Sequence, residues 1–237
     1  MASCGGVSHA ASWDTQRFVL ASLSTMNKPI NLDALDLAAL ISSRVCHDVI
    51  SPVGAIVNGL EVLDDEQDEK AKAPIIDLIR KSAGQASARL QFARLAFGAA
   101  GSAGAQIDLG DAAAVAKGFL EDDRLNLTWN LPRTLLPKNR VKLLLNLLMI
   151  ASSTIPRGGK LQVDPVGSGE TMGFRLQAEG PNSRIPPKVE ALLAGTPEEP
   201  LDAHVIQPFY AGMIARAAGL KVSIVSEGDA IVLTAVP

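Results

Sequence analysis

From Leu35 to Leu63 the apolar residues Ile41, Val45, Val49, Ile56, Leu60 and Leu63 recur mostly at three- and four-residue steps, which places them on one stripe of an α-helix. The pattern predicts a long first helix. The acidic stretch Asp64-Asp65-Glu66-Gln67-Asp68-Glu69 interrupts it as a solvated turn, and Pro74 is expected at the start of the next helix, where its missing N–H costs nothing. Ile76, Ile79, Ala83, Ala86, Leu90, Ala93 and Phe97 then alternate steps of three and four, an a/d seam rich in small residues. Two antiparallel helices of about 40 Å, at ~1.5 Å per residue, cannot enclose a core by themselves. The simplest covering surface is a second copy, which would make a four-helix bundle from a homodimer.

The run GAAGSAGA, Gly98 to Ala105, punctuates the chain, and the periodicity changes beyond it. A strand is expected near Gln106 to Leu109, a helix from Asp111 to Glu121, a strand from Leu125 to Trp129 and a strongly apolar helix from Arg140 to Ser153. Strands Leu161 to Asp164 and Gly173 to Ala178, short helices Lys188 to Leu193 and Ala203 to Ala218, and a hairpin of Lys221 to Ser226 with Ala230 to Ala235 complete the series. The expected fold class is α+β. A helical hairpin over residues 31–100 is followed by an α/β sandwich over residues 106–237 with a mostly antiparallel sheet, and residues 1–30 form a loose leader in which Met26 is an alternative start.

Composition narrows the function. With 237 residues and 47% hydrophobic side chains, the chain can build a real core. A net charge of −3 without a basic run argues against nucleic-acid binding. Cys4 and Cys46 have no metal-ligand spacing and suggest no disulfide framework, so a cytoplasmic location is expected. No continuous apolar run reaches the roughly 20 residues of a membrane span, and no membrane association is expected.

Chemistry concentrates in Arg44-Val45-Cys46-His47-Asp48-Val49-Ile50-Ser51-Pro52. At ~100° per residue His47 lies roughly opposite Val45, Val49, Ile56 and Leu60, on a strip of small polar positions with Ser43, Ser51, Gly54 and Asn58. Asp48 is near enough to accept from one ring nitrogen and leave the other free as a nucleophile. Pro52 has no N–H for the Asp48 carbonyl, so the helix is expected to bend or loosen there. Cys46 points ~100° away from His47 and is expected to be a packed thiol rather than half of a dyad. Ser51, His47 and Asp48 lack the nucleophile turn and oxyanion hole of a hydrolase. His9 and His204 have no such neighbours in sequence and are expected to be structural or incidental.

His47-Asp48-Val49-Ile50-Ser51-Pro52 resembles the H-box of sensor histidine kinases, and the second half resembles their ATP-binding domain around Leu145-Asn146-Leu147-Leu148-Met149-Ile150-Ala151 and Pro156-Arg157-Gly158-Gly159. Ile150 stands where a kinase has its Mg²⁺-holding asparagine, Asn146 matching only an upstream structural one. Ala178 stands where the adenine-reading aspartate would be, and Gln207-Pro208-Phe209-Tyr210-Ala211-Gly212 offers no glycine-rich lid. A kinase-like chain that keeps the histidine and loses the nucleotide pocket is similar to the ChpT-type histidine phosphotransferases of alphaproteobacterial cell-cycle phosphorelays. The resemblance implies that His47 accepts a phosphoryl group from the receiver aspartate of a hybrid kinase of the CckA type and passes it to response regulators of the CtrA and CpdR type. It further implies a receiver-docking surface of Ser43, Arg44, Ile50, Ser51, Gly54 and Asn58 around His47 and Asp48. No cofactor of its own is expected, Mg²⁺ arriving in the receiver's acidic site. An ATP-dependent histidine kinase and a non-catalytic dimeric receiver-binding adaptor are the alternatives.

Overall fold

A computed structural model describes residues 29–98 and 104–237. The leader up to residue 28, with Cys4, His9 and Met26, and most of the Gly/Ala/Ser run lie outside the described residues.

Helix α1 (Ala34–Asp65) starts where the carboxylate of Asp33 accepts the Leu35 N–H at 2.8 Å, and α2 (Glu69–Ala96) starts where Asp68 accepts that of Lys70 at 3.0 Å. The connector between them is accordingly shorter than the acidic run suggested. Pro74 lies inside α2 rather than at its start, because the Asp68 cap opens the helix a turn earlier. Pro52 likewise sits within an unbroken α1.

The helices pack closely at Gly59, where an added Cβ would lie 2.7 Å from Cγ1 of Ile79. The expected seam on α2 divides: Ala86 is buried and Ile76, Ile79 and Ala93 are half-buried, whereas Ala83 and Leu90 face outward. A straight helix drifts by ~20° per heptad from a strict seven-residue repeat, so Ser82, Phe92 and Ala96 turn inward instead.

Beyond the hairpin come β1 (Gln106–Asp108), α3 (Leu109–Leu120), β2 (Leu125–Trp129), β3 (Leu135–Pro137) and α4 (Lys138–Thr154). They are followed by β4 (Gly159–Val166), β5 (Gly173–Glu179), α5 (Val189–Ala194), α6 (Ile206–Ala217), β6 (Lys221–Glu227) and β7 (Ala230–Val236). Strands β1 and β3 pair antiparallel; β3, three residues long and bounded by proline, left no alternation to detect. The main sheet has the order β2-β4-β5-β7-β6, parallel between β2 and β4 and antiparallel elsewhere. Leu109 opens α3 instead of extending β1, since Asp108 accepts the N–H groups of Gly110 and Asp111 at 2.7 and 3.2 Å. At the entry to β4, Gly159 has φ +144° and an added Cβ would lie 2.0 Å from the Glu179 carbonyl oxygen. A backbone approach that close excludes any side chain.

Helix α4 is the centre of the molecule. Every residue from Val141 to Ala151 is buried, against the sheet on one side and α2, α3 and α6 on others. A smaller apolar cluster of Leu192, Ile206 and Phe209 receives Leu37, Leu40 and Ile41 from the first turns of α1. At this same open end of the hairpin, Asn146 Nδ2 donates to the Ala96 carbonyl at 3.1 Å, and its Oδ1 accepts from Gln207 Nε2, also at 3.1 Å. The hairpin is therefore fastened to the sandwich at the start of α1 and at the end of α2, and the middle of α1 is held beside α6.

Helix α1 is long and apolar enough to cross a membrane by length and composition alone, as a core helix of a folded domain can also be. The surplus is a second apolar face: Ile50, Val53, Val57 and Leu60 are exposed although Pro52 and Gly59 are buried.

Candidate functional site

His47 projects from the middle of α1 with 61% of its side chain exposed, and its Nδ1 lies 3.6 Å from Asp48 Oδ1. That is an ion-pair approach, longer than a hydrogen bond. The other carboxylate oxygen of Asp48 accepts from Arg44 Nε at 2.9 Å, one helical turn earlier. Asp48 is thus held by Arg44 with its free oxygen toward the imidazole, and Nε2, on the far side of the ring, is the nitrogen away from the carboxylate.

The Asp48 carbonyl is also held. Pro52 supplies no amide to it, and Arg89 Nη1, from α2, donates there instead. The helix runs on through the proline, where it was expected to bend or loosen, with this donor in place of the missing amide. The sequence reading overlooked Arg89, and a helix-spacing argument along α1 alone could not have found it.

His204, expected to be structural or incidental, stands beside the site. The loop before α6 brings its ring edge-on to that of His47, with centroids 5.1 Å apart and planes at 81°. Arg44 Nη1 donates to the His204 carbonyl at 3.3 Å, so one guanidinium ties the site helix to the sandwich. The loop is built by Asp202, whose Oδ1 accepts the N–H groups of His204 at 2.8 Å and Val205 at 3.1 Å. These two donors, His204 first, hold the Asp202 carboxyl below its ordinary range. The same turn delays α6 to Ile206, later than the sequence pattern suggested. Asp-x-His-Val is a recognisable Asx-turn signal, although nothing local in it points to His47.

Of the strip around the histidine, Ser43, Ser51 and Asn58 are exposed, and at Gly54 an added Cβ would meet nothing within 4 Å. Beside the strip runs the uncovered apolar face, with Ile50 exposed at 69%. Cys46 heads that face and is exposed, not packed, because α2 covers the other side of α1. A cavity of about 340 Å³ opens between α1 and the sandwich, lined by Arg44, Met149, Ile150, Pro186, His204 and Gln207. Ile150, Ala178 and Phe209 are buried core residues at 1%, 0% and 0% exposure. Among the described residues no cluster of three or more histidine, cysteine or acidic side chains could hold a metal ion.

Residues 109–230 match a protein-family model described as the histidine phosphotransferase C-terminal domain. The chain is 53% identical over 212 residues to protein phosphotransferase ChpT of Brucella abortus (strain 2308), covering 89% of this chain and 100% of that protein. A solved structure of a bacterial phosphotransferase matches with a TM-score of 0.81 and 50% identity, over 88% of this chain and 100% of its own.

Proposed function

The chain belongs to the histidine phosphotransferase family, and we propose that His47 is the residue that carries the phosphoryl group. Protein phosphotransfer is the activity of the family; the observation that carries the assignment is an outward imidazole whose Nδ1 faces a fixed carboxylate while Nε2 does not. In the accepting step the Nε2 lone pair attacks the phosphorus of a receiver's aspartyl phosphate. The N–P bond forms, the O–P bond breaks, and the electron pair leaves with the receiver carboxylate. Donation to a second receiver reverses the step. Asp48 favours the tautomer with the proton on Nδ1 and steadies the positive charge that develops on the ring.

The partners follow from the resemblance and the surface chemistry. They are the receiver domain of a hybrid histidine kinase of the CckA type as donor, and response regulators of the CtrA and CpdR type as acceptors. Ser43, Arg44, Ile50, Ser51, Gly54 and Asn58 form the docking surface, small or flat enough for a receiver to approach the ring. The receiver brings Mg²⁺ in its own acidic pocket, which neutralises the moving charge. The exposed apolar residues Val53, Val57 and Leu60 on α1 and Leu90 on α2 support a homodimer whose hairpins pair as a four-helix bundle in the cytoplasm. The sandwich serves as a wall for the docked receiver and not as a nucleotide site, a view supported by the apolar, buried side chains at Ile150, Ala178 and Phe209.

The test uses a phosphorylated receiver and the full chain. Phosphate should appear on wild type in acid-labile, base-stable form, and calorimetry with ATP and Mg²⁺ should give no heat. A micromolar ATP signal that competes with receiver binding would revive the kinase alternative, and transfer-independent receiver binding with no phosphate on the chain would favour the adaptor.

A further inference from the structure

An imidazole that is 61% exposed in the middle of a helix has no packing of its own to choose one ring orientation, and each freely turning torsion removes part of the population from the geometry in-line attack requires. The carboxylate of Asp48 is too far, at 3.6 Å, to hold the ring by a hydrogen bond. A second constraint comes from the sandwich. The edge-to-face contact with His204, at 5.1 Å between centroids, restricts rotation of the His47 ring.

His204 is itself anchored in three ways. Its amide donates to Asp202 Oδ1 at 2.8 Å, its carbonyl accepts from Arg44 Nη1 at 3.3 Å, and two residues later Ile206 is fully buried in the cluster that also holds Leu37, Leu40 and Ile41 of α1. Arg44 links the helix that carries His47 to the loop that carries His204, touching the Asp48 carboxylate and the His204 backbone with the same guanidinium.

We propose that His204 is a positioning residue for phosphotransfer, its ring, set edge to face with that of His47, holding the imidazole of His47 in the orientation that presents Nε2 to a receiver; this rests on His47 being the phosphoacceptor. The role is one of shape. It needs a flat ring at this position and no proton from it, and it acts equally on accepting and donating the phosphoryl group because both pass through the same in-line geometry.

The experiment compares wild type, His204→Ala and His204→Phe as full chains. His204 is exposed, so neither variant should disturb the fold. Single-turnover transfer to and from a phosphorylated receiver should slow ~10-fold in both directions for His204→Ala, within the range that slight misplacement of a reacting group produces. The final extent of phosphorylation should be unchanged. His204→Phe should recover to within ~3-fold of wild type, since the ring edge is restored. In the unphosphorylated protein, the ring resonances of His47 should shift in His204→Ala. Wild-type rates in His204→Ala, a His204→Phe as slow as His204→Ala, or His47 resonances indifferent to both changes would each overturn the proposal. Absence of phosphate on wild-type His47 is a separate result: it would remove the phosphoacceptor reading, and with it any role for His204 in transfer, even if the ring resonances still reported the contact.

Discussion

Arg89 Nη1 donates to the backbone carbonyl of Asp48, the very carbonyl that Pro52 leaves without its helical amide. A charged donor from α2 thus replaces a missing backbone donor in α1, next to His47. Arg89→Met should cost about 1.5–3 kcal/mol in urea unfolding, the range for a hydrogen bond to a charged group. In a Pro52→Ala background the amide returns and the Arg89→Met cost should shrink by half or more. Additive costs in the double-mutant cycle would mean that the two residues act separately.

His47→Gln should carry no phosphate after incubation with a phosphorylated receiver, while its unfolding free energy stays within about 0.5 kcal/mol of wild type, as for an exposed substitution. Acid-labile, base-stable phosphate on the variant would place the acceptor elsewhere.

Dimerisation is best probed where the single chain leaves apolar residues uncovered. Val57 is 49% exposed, so Val57→Glu should change the stability of a lone hairpin by no more than about 0.5 kcal/mol, yet it would bury an unpaired charge in a four-helix bundle. Light scattering should show wild type as a dimer at micromolar concentration and Val57→Glu as a monomer. Ala86 is a poorer probe, since at 8% exposure it already packs within its own hairpin. Equal masses for wild type and Val57→Glu would exclude this face as the interface.

Asn146 is fully buried and joins three helices through Ala96, Lys142 and Gln207. Asn146→Leu should destabilise the protein by about 2–4 kcal/mol, because the Ala96 carbonyl and part of the Gln207 amide lose their partners. Thermal melting followed by circular dichroism measures it. A loss below about 1 kcal/mol would show that the end of α2 is held by apolar packing alone.

The loop that carries His204 should respond to acid. The N–H groups of His204 and Val205 lower the Asp202 carboxyl pKa from 3.8, and a depressed folded-state pKa stabilises the loop above the unfolded value and is lost as pH falls through the folded one. The hydrogen-bonded amide resonances of His204 and Val205 should therefore persist down to about pH 4 and move below it. Asp202→Ala should lose them at neutral pH and weaken the contact between the His47 and His204 rings as well. A contact that survives unchanged in Asp202→Ala would show that Arg44 alone fixes the loop.

How much was legible depended on how far apart in the chain the interacting groups lie. The two long helices, the buried LLLNLLMIA segment of α4 and the closing β6–β7 hairpin are written in local periodicity, because a face that must be buried repeats every 3.6 or two residues whatever covers it. The strip of Ser43, His47, Ser51 and Gly54 and the proline one turn beyond could be placed the same way, and so could the side on which His47 faces out. Periodicity is silent about partners. That Arg89 meets the Asp48 carbonyl, that His204 stands against His47, and that Asn146 closes the end of α2 were decided only when the chain folded back on itself. Each is a polar or ring contact between elements separated by long stretches of sequence, chosen by where packing of α4, α6 and the start of α1 leaves the side chains. Pro52 and Pro74 likewise needed the tertiary structure: an arginine from the next helix supplies the donor that Pro52 lacks, and the Asp68 cap opens α2 before Pro74 is reached.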